Sequence, residues 1–207
     1  MHPSQSISKR FFLNEFSILS ILFTILILLS SGCKKKSLSV FEDGDHFGFK
    51  NQDGEIIIAP DYSFVYDFNE KGVALVFGKM GWSCIDSGNR ILLNPFQYDN
   101  GPDPFVEGLA RFTENKKIGF FDVGCRKIIE AKYDFAFPFE ENFAVVCLGC
   151  KSIKMEEHSS IEGGKYGLID KKGKVIVPIE YDSISTDQYK KIAPTTKGKI
   201  AKDIPIF

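Results

Sequence analysis

Four stretches of this chain share one internal order, and that repetition limits the fold more than any other feature. "FGFKNQDGEIIIAPDYS" begins at Phe47, "GWSCIDSGNRILLNPFQYDN" at Gly81, "GFFDVGCRKIIEAKYDF" at Gly119 and "GLIDKKGKVIVPIEYDS" at Gly167. Each has a Gly followed by an aromatic residue or Leu, then a polar residue that can open a turn: Asn51, Asp86, Asp122 and Asp170. A turn Gly follows at Gly54, Gly88, Gly124 and Gly173, then a run of Ile, Val or Leu, then Tyr62, Tyr98, Tyr133 and Tyr181. Asp follows the Tyr at Asp99, Asp134 and Asp182, whereas the first copy carries Asp61 before it. A second half recurs from Phe68, Phe105 and Phe139, with Ala74, Ala110 and Ala144 spaced 36 and 34 residues apart. A fixed period of this size marks an array of supersecondary units that bury their apolar faces only by stacking on their neighbours.

The local chemistry of each copy is that of β-structure. An Asp or Asn side chain can accept from the backbone two residues on, and "NQDG" and "DKKG" suit a type I turn ending in a left-handed residue. "DSG" and "DVG" read as turns one residue shorter. "EIII", "RILL", "KIIE" and "KVIV" read as strands, and Pro60, Pro95 and Pro178 as their ends. The second half adds a third strand alternating apolar and small residues. Phe, a strand former and core filler, accounts for 20 of 207 residues.

The pattern resembles the WG repeat family. Its aromatic–Gly pair is carried here by Phe47-Gly48, Ile118-Gly119 and Tyr166-Gly167, with Met80-Gly81-Trp82 as a variant copy that holds extra residues around Ser83-Cys84. The resemblance covers most of residues 41–182 and implies tandem short β-hairpins, with little implied about activity. The expected fold is all-β, a curved solenoid-like stack of hairpins with strands of roughly four to six residues. A closed propeller-like array is the alternative. The expected organisation is a leader over 1–32, a tether over 33–41 and repeats over 42–182 (near 47–80, 81–118, 119–166 and 167–182). A degenerate segment over 183–207 would supply one or two capping strands.

The leader reads from its own chemistry. Lys9 and Arg10 precede an apolar run from Phe16 to Leu29. Fourteen helical residues reach about 21 Å, short of a hydrocarbon core of roughly 30 Å. Asn14 and Glu15 on one side and Lys34, Lys35 and Lys36 on the other prevent extension, which suits a signal peptide. "LLSSGC" resembles a bacterial lipoprotein processing site, with Ser30 where Leu is usual. That resemblance implies that Cys33 becomes the lipidated first residue, and two or more acyl chains give stable anchoring. The alternative is an uncleaved signal anchor. The expected location is the bacterial cell membrane or outer membrane, with the domain exported.

Sites are sought where one copy differs. Between its Ala and the next Gly, the third copy carries a long insertion, Leu148–Lys165, that includes Lys151, Lys154, Met155, Glu156, Glu157 and His158. Expanded hairpin tips are often binding elements, and tolerated insertion is the other reading. Cys84, Cys125, Cys147 and Cys150 are candidate disulfide cysteines in an exported domain. Cys147 can close on Cys150, or Cys125 can pair with either. Zinc would use the CxxC, His158 and a fourth ligand from Cys84 or Cys125. Buried free thiols are the third alternative.

No catalytic constellation emerges. Beyond the leader there are two His residues, His46 and His158, and neither lies beside a nucleophile motif. Glu42, Asp43 and Asp45 lack the remaining spacing of a calcium loop. A formal net charge of −1 gives no footprint for nucleic acid. The sequence therefore predicts a non-enzymatic scaffold without cofactor or resident metal. It would meet the membrane through Cys33 and a protein, peptide or glycan partner through its repeats. A purely structural envelope role is the alternative, and an enzyme with an unrecognised site the remoter one.

Overall fold

The computed structural model describes residues 37–98, 100–155, 158–186, 192–196 and 199–200. These residues hold strands and no helix, and every strand pair is antiparallel. The first copy contains β2 (His46–Lys50), β3 (Ile56–Tyr62), β4 (Phe64–Val65) and β5 (Val73–Gly78). The second contains β6 (Gly81–Asp86), β7 (Ile91–Pro95), the short pair β8 (Gln97–Tyr98) and β9 (Gly101–Pro102), and β10 (Leu109–Glu114). The third contains β11 (Lys117–Asp122), β12 (Lys127–Tyr133), β13 (Phe135–Ala136) and β14 (Phe143–Met155). The fourth contains β15 (His158–Asp170), β16 (Val175–Tyr181), β17 (Ser183–Thr186) and β18 (Ile192–Thr196). β1 (Ser39–Asp43) precedes them and β19 (Lys199–Ile200) follows, so the described residues of the 183–207 segment hold three strands, against the one or two expected.

Hydrogen bonding straddles the copies. The last strand of one copy forms a hairpin with the first strand of the next: β5 with β6, β10 with β11 and β14 with β15. β1 pairs with β2 in the same way, so it stands where a preceding copy would place its last strand. The strand orders are open, and no closed barrel or propeller is found among the described residues, which sets the closed alternative aside.

One register recurs within all four copies. Phe49 faces Ile58, Cys84 faces Leu93, Phe120 faces Ile129 and Leu168 faces Val177. In copies one, three and four the next pair is Phe47–Tyr62, Ile118–Tyr133 and Tyr166–Tyr181. Two residues of the first strand therefore oppose four of the second, which is a bulge. Pro60 and Pro178 lie within these bulged strands rather than at their ends, and of the three only Pro95 ends its strand. A bulge leaves backbone groups outside the ladder, so a missing N–H costs little there. The bulge folds the second strand over the Gly of the aromatic–Gly pair. A Cβ on Gly119 would lie 2.6 Å from the Phe112 ring and 2.7 Å from the Ala131 nitrogen, and it would overlap the Ile129 carbonyl oxygen.

The second copy departs here. Its register places Trp82-Ser83, not Met80-Gly81, in the aromatic–Gly position. Gly81 opens β6 directly after the preceding turn, where its φ of 81° suits Gly. The extra residues fall after Leu93, not around Ser83-Cys84. Ser83 has a Cβ, and no Trp82–Tyr98 pair closes over it. Instead Asn94 Nδ2 donates to the Trp82 carbonyl at 3.2 Å and to Ser83 Oγ at 3.1 Å. β7 then turns to pair with β10 at Phe112–Pro95 and Thr113–Asn94, joining two units into a seven-stranded sheet.

The four turns are built alike. Oδ1 of Asn51, Asp86, Asp122 and Asp170 accepts from the backbone N–H two and four residues on, at 2.9–3.0 Å. The turns are also equal in length, which corrects the shorter reading of "DSG" and "DVG". Their left-handed residue is Gly54 and Gly173 in two copies, but Asn89 (φ 63°) and Cys125 (φ 55°) in the others.

The core is a succession of small clusters at these junctions. Phe49, Ile58, Ala74, Val76 and Ile85 form the first, and Val73, Cys84, Leu93, Ala110, Phe112, Phe121 and Cys125 the second. The largest gathers Phe120, Tyr133, Phe139 and Val146, and Val145, Leu168 and Val177 form the last. The repeated Ala is buried each time opposite a large fully buried residue: Ala74 with Ile85, Ala110 with Phe121, Ala144 with Ile169. The copies also touch their second neighbours. Asn69 Nδ2 donates to the Val123 carbonyl at 2.7 Å, and Lys171 Nζ lies 2.9 Å from Glu107 Oε2.

Candidate functional site

Several side chains that recur between copies have structural partners, although the buried Tyr133 hydroxyl finds none among the described residues. Asp134, the Asp of the Tyr-Asp pair, accepts from Lys117 Nζ at 2.6 Å and from the Gly149 N–H at 2.7 Å. Asp182 accepts from Lys165 Nζ at 2.7 Å in the next copy. The Lys117 hydrogen bond, then that of Gly149, holds the Asp134 carboxyl below its ordinary value. A carboxyl lowered on folding stabilises the fold fully above its unfolded pKa of about 4, and that stability is lost as pH falls through the folded value. Asp134→Asn is expected to lower the melting temperature at neutral pH and to flatten its decline below about pH 4. Parallel decline in the variant and the native chain in a pH series of thermal melts would contradict this.

Two places differ from the repeat. The first is an aromatic cluster where β4 ends the seven-stranded sheet. Phe64 faces Phe77, and Phe77 faces Trp82, across β4, β5 and β6. The Phe64, Tyr66 and Phe77 rings lie 5.8, 5.9 and 5.3 Å from the Trp82 ring, centroid to centroid. Phe64 and Tyr66 remain about half exposed, Trp82 is buried, and its Nε1 has no partner among the described residues. Beside Tyr66 lies a cavity of about 360 Å³ lined by Asp67, Asn69, Leu75, Phe105, Val123 and Cys125, among others. The second copy has Cys84 where copies one and three have the core residues Phe49 and Phe120. In copies one and three a Phe stacks edge-on against that residue at 4.7 Å: Phe68 on Phe49 and Phe139 on Phe120. In the second copy Phe105 leans on Phe121 of the next copy instead, and stays 37% exposed. Sequence reasoning missed this cluster. Its only signal was the apolar string "FVY" from Phe64, which does not reveal that β4 sits at a sheet edge.

The second place is the insertion. It is not an irregular loop: β14 and β15 run thirteen residues each, and their shared register continues from Phe143–Asp170 to Met155–His158. β13 pairs with β14 only at Val146 and Cys147, and β16 reaches β15 no further out than Tyr166. Beyond those points residues 148–155 and 158–165 form a two-stranded arm that pairs, among the described strands, with itself alone. Leu148 and Ile153 are 40% and 41% exposed on it, and Lys151 is exposed. Lys154, Met155 and His158 lie on its strands, whereas Glu156 and Glu157, like Cys33, lie outside the described residues.

The cysteines pair as Cys84–Cys125 and Cys147–Cys150. Cys147–Cys150 is one of the two pairings the sequence left open; Cys84–Cys125 is neither, since the other alternative joined Cys125 to the CxxC. The turn carrying Cys125 packs on the strands of the copy before it, so the partner comes from β6. With both pairs closed, a zinc set built on these thiolates has no ligands to offer, and no cluster of His, Cys, Asp and Glu suited to a metal occurs among the described residues. Glu42, Asp43 and Asp45 lie on the β1–β2 hairpin, where Asp43 faces His46 across the turn.

A comparison with curated proteins finds no match. The model of the WG containing repeat matches residues 47–77, 82–117, 119–151 and 166–199. Its second match starts at Trp82, in agreement with the register above. The repeats together span well over half of the sequence, and the chain belongs to the WG containing repeat family.

Proposed function

We propose that this protein is a lipid-anchored lipoprotein of the bacterial envelope. Its WG repeats act as a non-catalytic scaffold, and its arm, residues 148–165, meets a protein or glycan partner. The observation that carries the reading is the arm itself. A two-stranded ribbon outside a sheet buries little and leaves both ladder edges open, an arrangement suited to receiving another chain and otherwise marginal in water. The exposed Phe64 and Tyr66 supply a second apolar surface on the same scaffold. Lipidation at Cys33 would hold the repeats at a membrane surface.

The anchor and the scaffold are tested separately. The N-terminal peptide of detergent-extracted native protein is expected to begin at an acylated Cys33, and Cys33→Ser to lose the lipid. A peptide that still carries Met1–Gly32 without lipid sinks the anchor. Replacing residues 150–163 with a two-residue turn is expected to leave the melting temperature within about 3 °C, because the arm adds little to the core. The same change should abolish cross-linking to envelope partners. Unchanged cross-linking would favour the purely structural role.

A further inference from the structure

We infer that the Cys147–Cys150 disulfide is a redox clamp on a glycine hinge at the base of the arm. In a regular strand, residues three apart have Cα atoms about 10 Å apart, beyond the reach of a disulfide. Here the separation is 6.1 Å. The strand is folded at Gly149, whose φ is 79°. Gly163 and Gly164 bring two more left-handed residues to the same level of the facing strand, with φ of 69° and 74°. Three such residues on two adjacent rungs are a break in the ladder, although the register itself continues through it.

The disulfide and the break depend on each other. Cys147 is fully buried and Cys150 is 6% exposed. A Cβ on Gly164 would meet the Cys147 sulfur at 2.8 Å and the Leu148 carbonyl oxygen at 2.7 Å, so the facing strand passes directly over the clamp. The body side is fixed, because the Gly149 N–H donates to Asp134, which Lys117 also holds. On the far side, residues 150–155 and 158–163 pair only with each other among the described strands. The clamp therefore sits where a held segment meets an unsupported one.

The chemistry is thiol–disulfide exchange. A dithiol reductant attacks one sulfur, its second thiol resolves the mixed disulfide, and the products are the Cys147 and Cys150 thiols and the oxidised reductant. Two electrons and two protons pass to the protein. Once the bond is open, residues 147–150 are free to extend towards strand spacing, and the glycines carry the resulting rotation of the arm. A consequence for partner binding rests on the function proposed above; the hinge does not.

The test is amide hydrogen exchange on the full chain. It compares the oxidised protein, the protein in excess dithiothreitol, and a Cys147→Ser/Cys150→Ser variant kept oxidised so that Cys84–Cys125 stays closed. Exchange of residues 148–165 is expected to rise about tenfold or more on reduction and in the variant, and to reverse on reoxidation of the native protein. The amides of Phe120 to Tyr133 should not change in the variant. Exchange in the arm that stays within about twofold, or slows, overturns the clamp. So does mass analysis that finds Cys147 and Cys150 unpaired in protein isolated without reductant.

Discussion

Replacing Asp103 with Ala is expected to cost about 3–5 kcal/mol of stability, because it strands a buried guanidinium. The Asp103 and Arg111 side chains are 1% and 3% exposed. Asp103 Oδ2 accepts from Arg111 Nε at 3.0 Å and from the Arg111 backbone N–H at 2.8 Å, and Oδ1 accepts from Nη2 at 2.5 Å. Arg111 Nη1 donates to the Ala136 carbonyl at 2.8 Å, and the guanidinium lies 4.5 Å from the Phe96 ring centre. The pair thus ties the irregular segment of the second copy to β13 of the third. Removing the carboxylate leaves the cation without its counter-charge where water cannot replace it. For a domain of this size the loss corresponds to a fall in melting temperature of roughly 10 °C. Asp103→Ala/Arg111→Met should recover much of it, since an apolar pair of similar volume avoids both desolvation costs. Denaturant titration of both variants makes the comparison. If Asp103→Ala loses less than about 1 kcal/mol, the pair is not the buried unit described here.

That pair was invisible in the sequence, and the reason is general to this fold. Local chemistry was legible. Asn51, Asp86, Asp122 and Asp170 bond to their own turns, so a five-residue window contains the whole interaction. The β-branched runs and the buried Ala likewise announce themselves by type and spacing. The second copy was misread because Met80-Gly81 mimics an aromatic–Gly pair, whereas the strand register that identifies Trp82-Ser83 depends on Leu93 across the sheet. Contacts between second neighbours, such as Asn69 with Val123, need the stacking geometry and have no signature along the chain. The arm stood out by length, but nothing along the chain shows that its two strands keep one register across the break at Gly149, Gly163 and Gly164.

The Cys84–Cys125 disulfide is expected to contribute about 4 kcal/mol, and it explains two departures from the repeat at once. It closes a loop across a sequence separation of 41 residues, and a cross-link of that span removes conformational entropy from the unfolded chain by about this amount. Cys84 occupies the core position that Phe49, Phe120 and Leu168 fill in the other copies. Cys125 occupies the left-handed turn position that Gly54 and Gly173 fill, at a φ of 55° that disfavours a side chain by about 1 kcal/mol. The bond therefore outweighs a lost aromatic contact and a strained turn. An order of stability follows. The native chain should be most stable, Cys84→Ala/Cys125→Gly next, and Cys84→Ala/Cys125→Ala least, because only the glycine relieves the turn. The two variants should differ by about 1 kcal/mol. Both keep Cys147–Cys150, so they separate the stapling of two copies from the clamping of the arm, which a chemical reductant cannot do. Equal denaturation midpoints for all three chains would mean that the second and third copies are held together by packing alone.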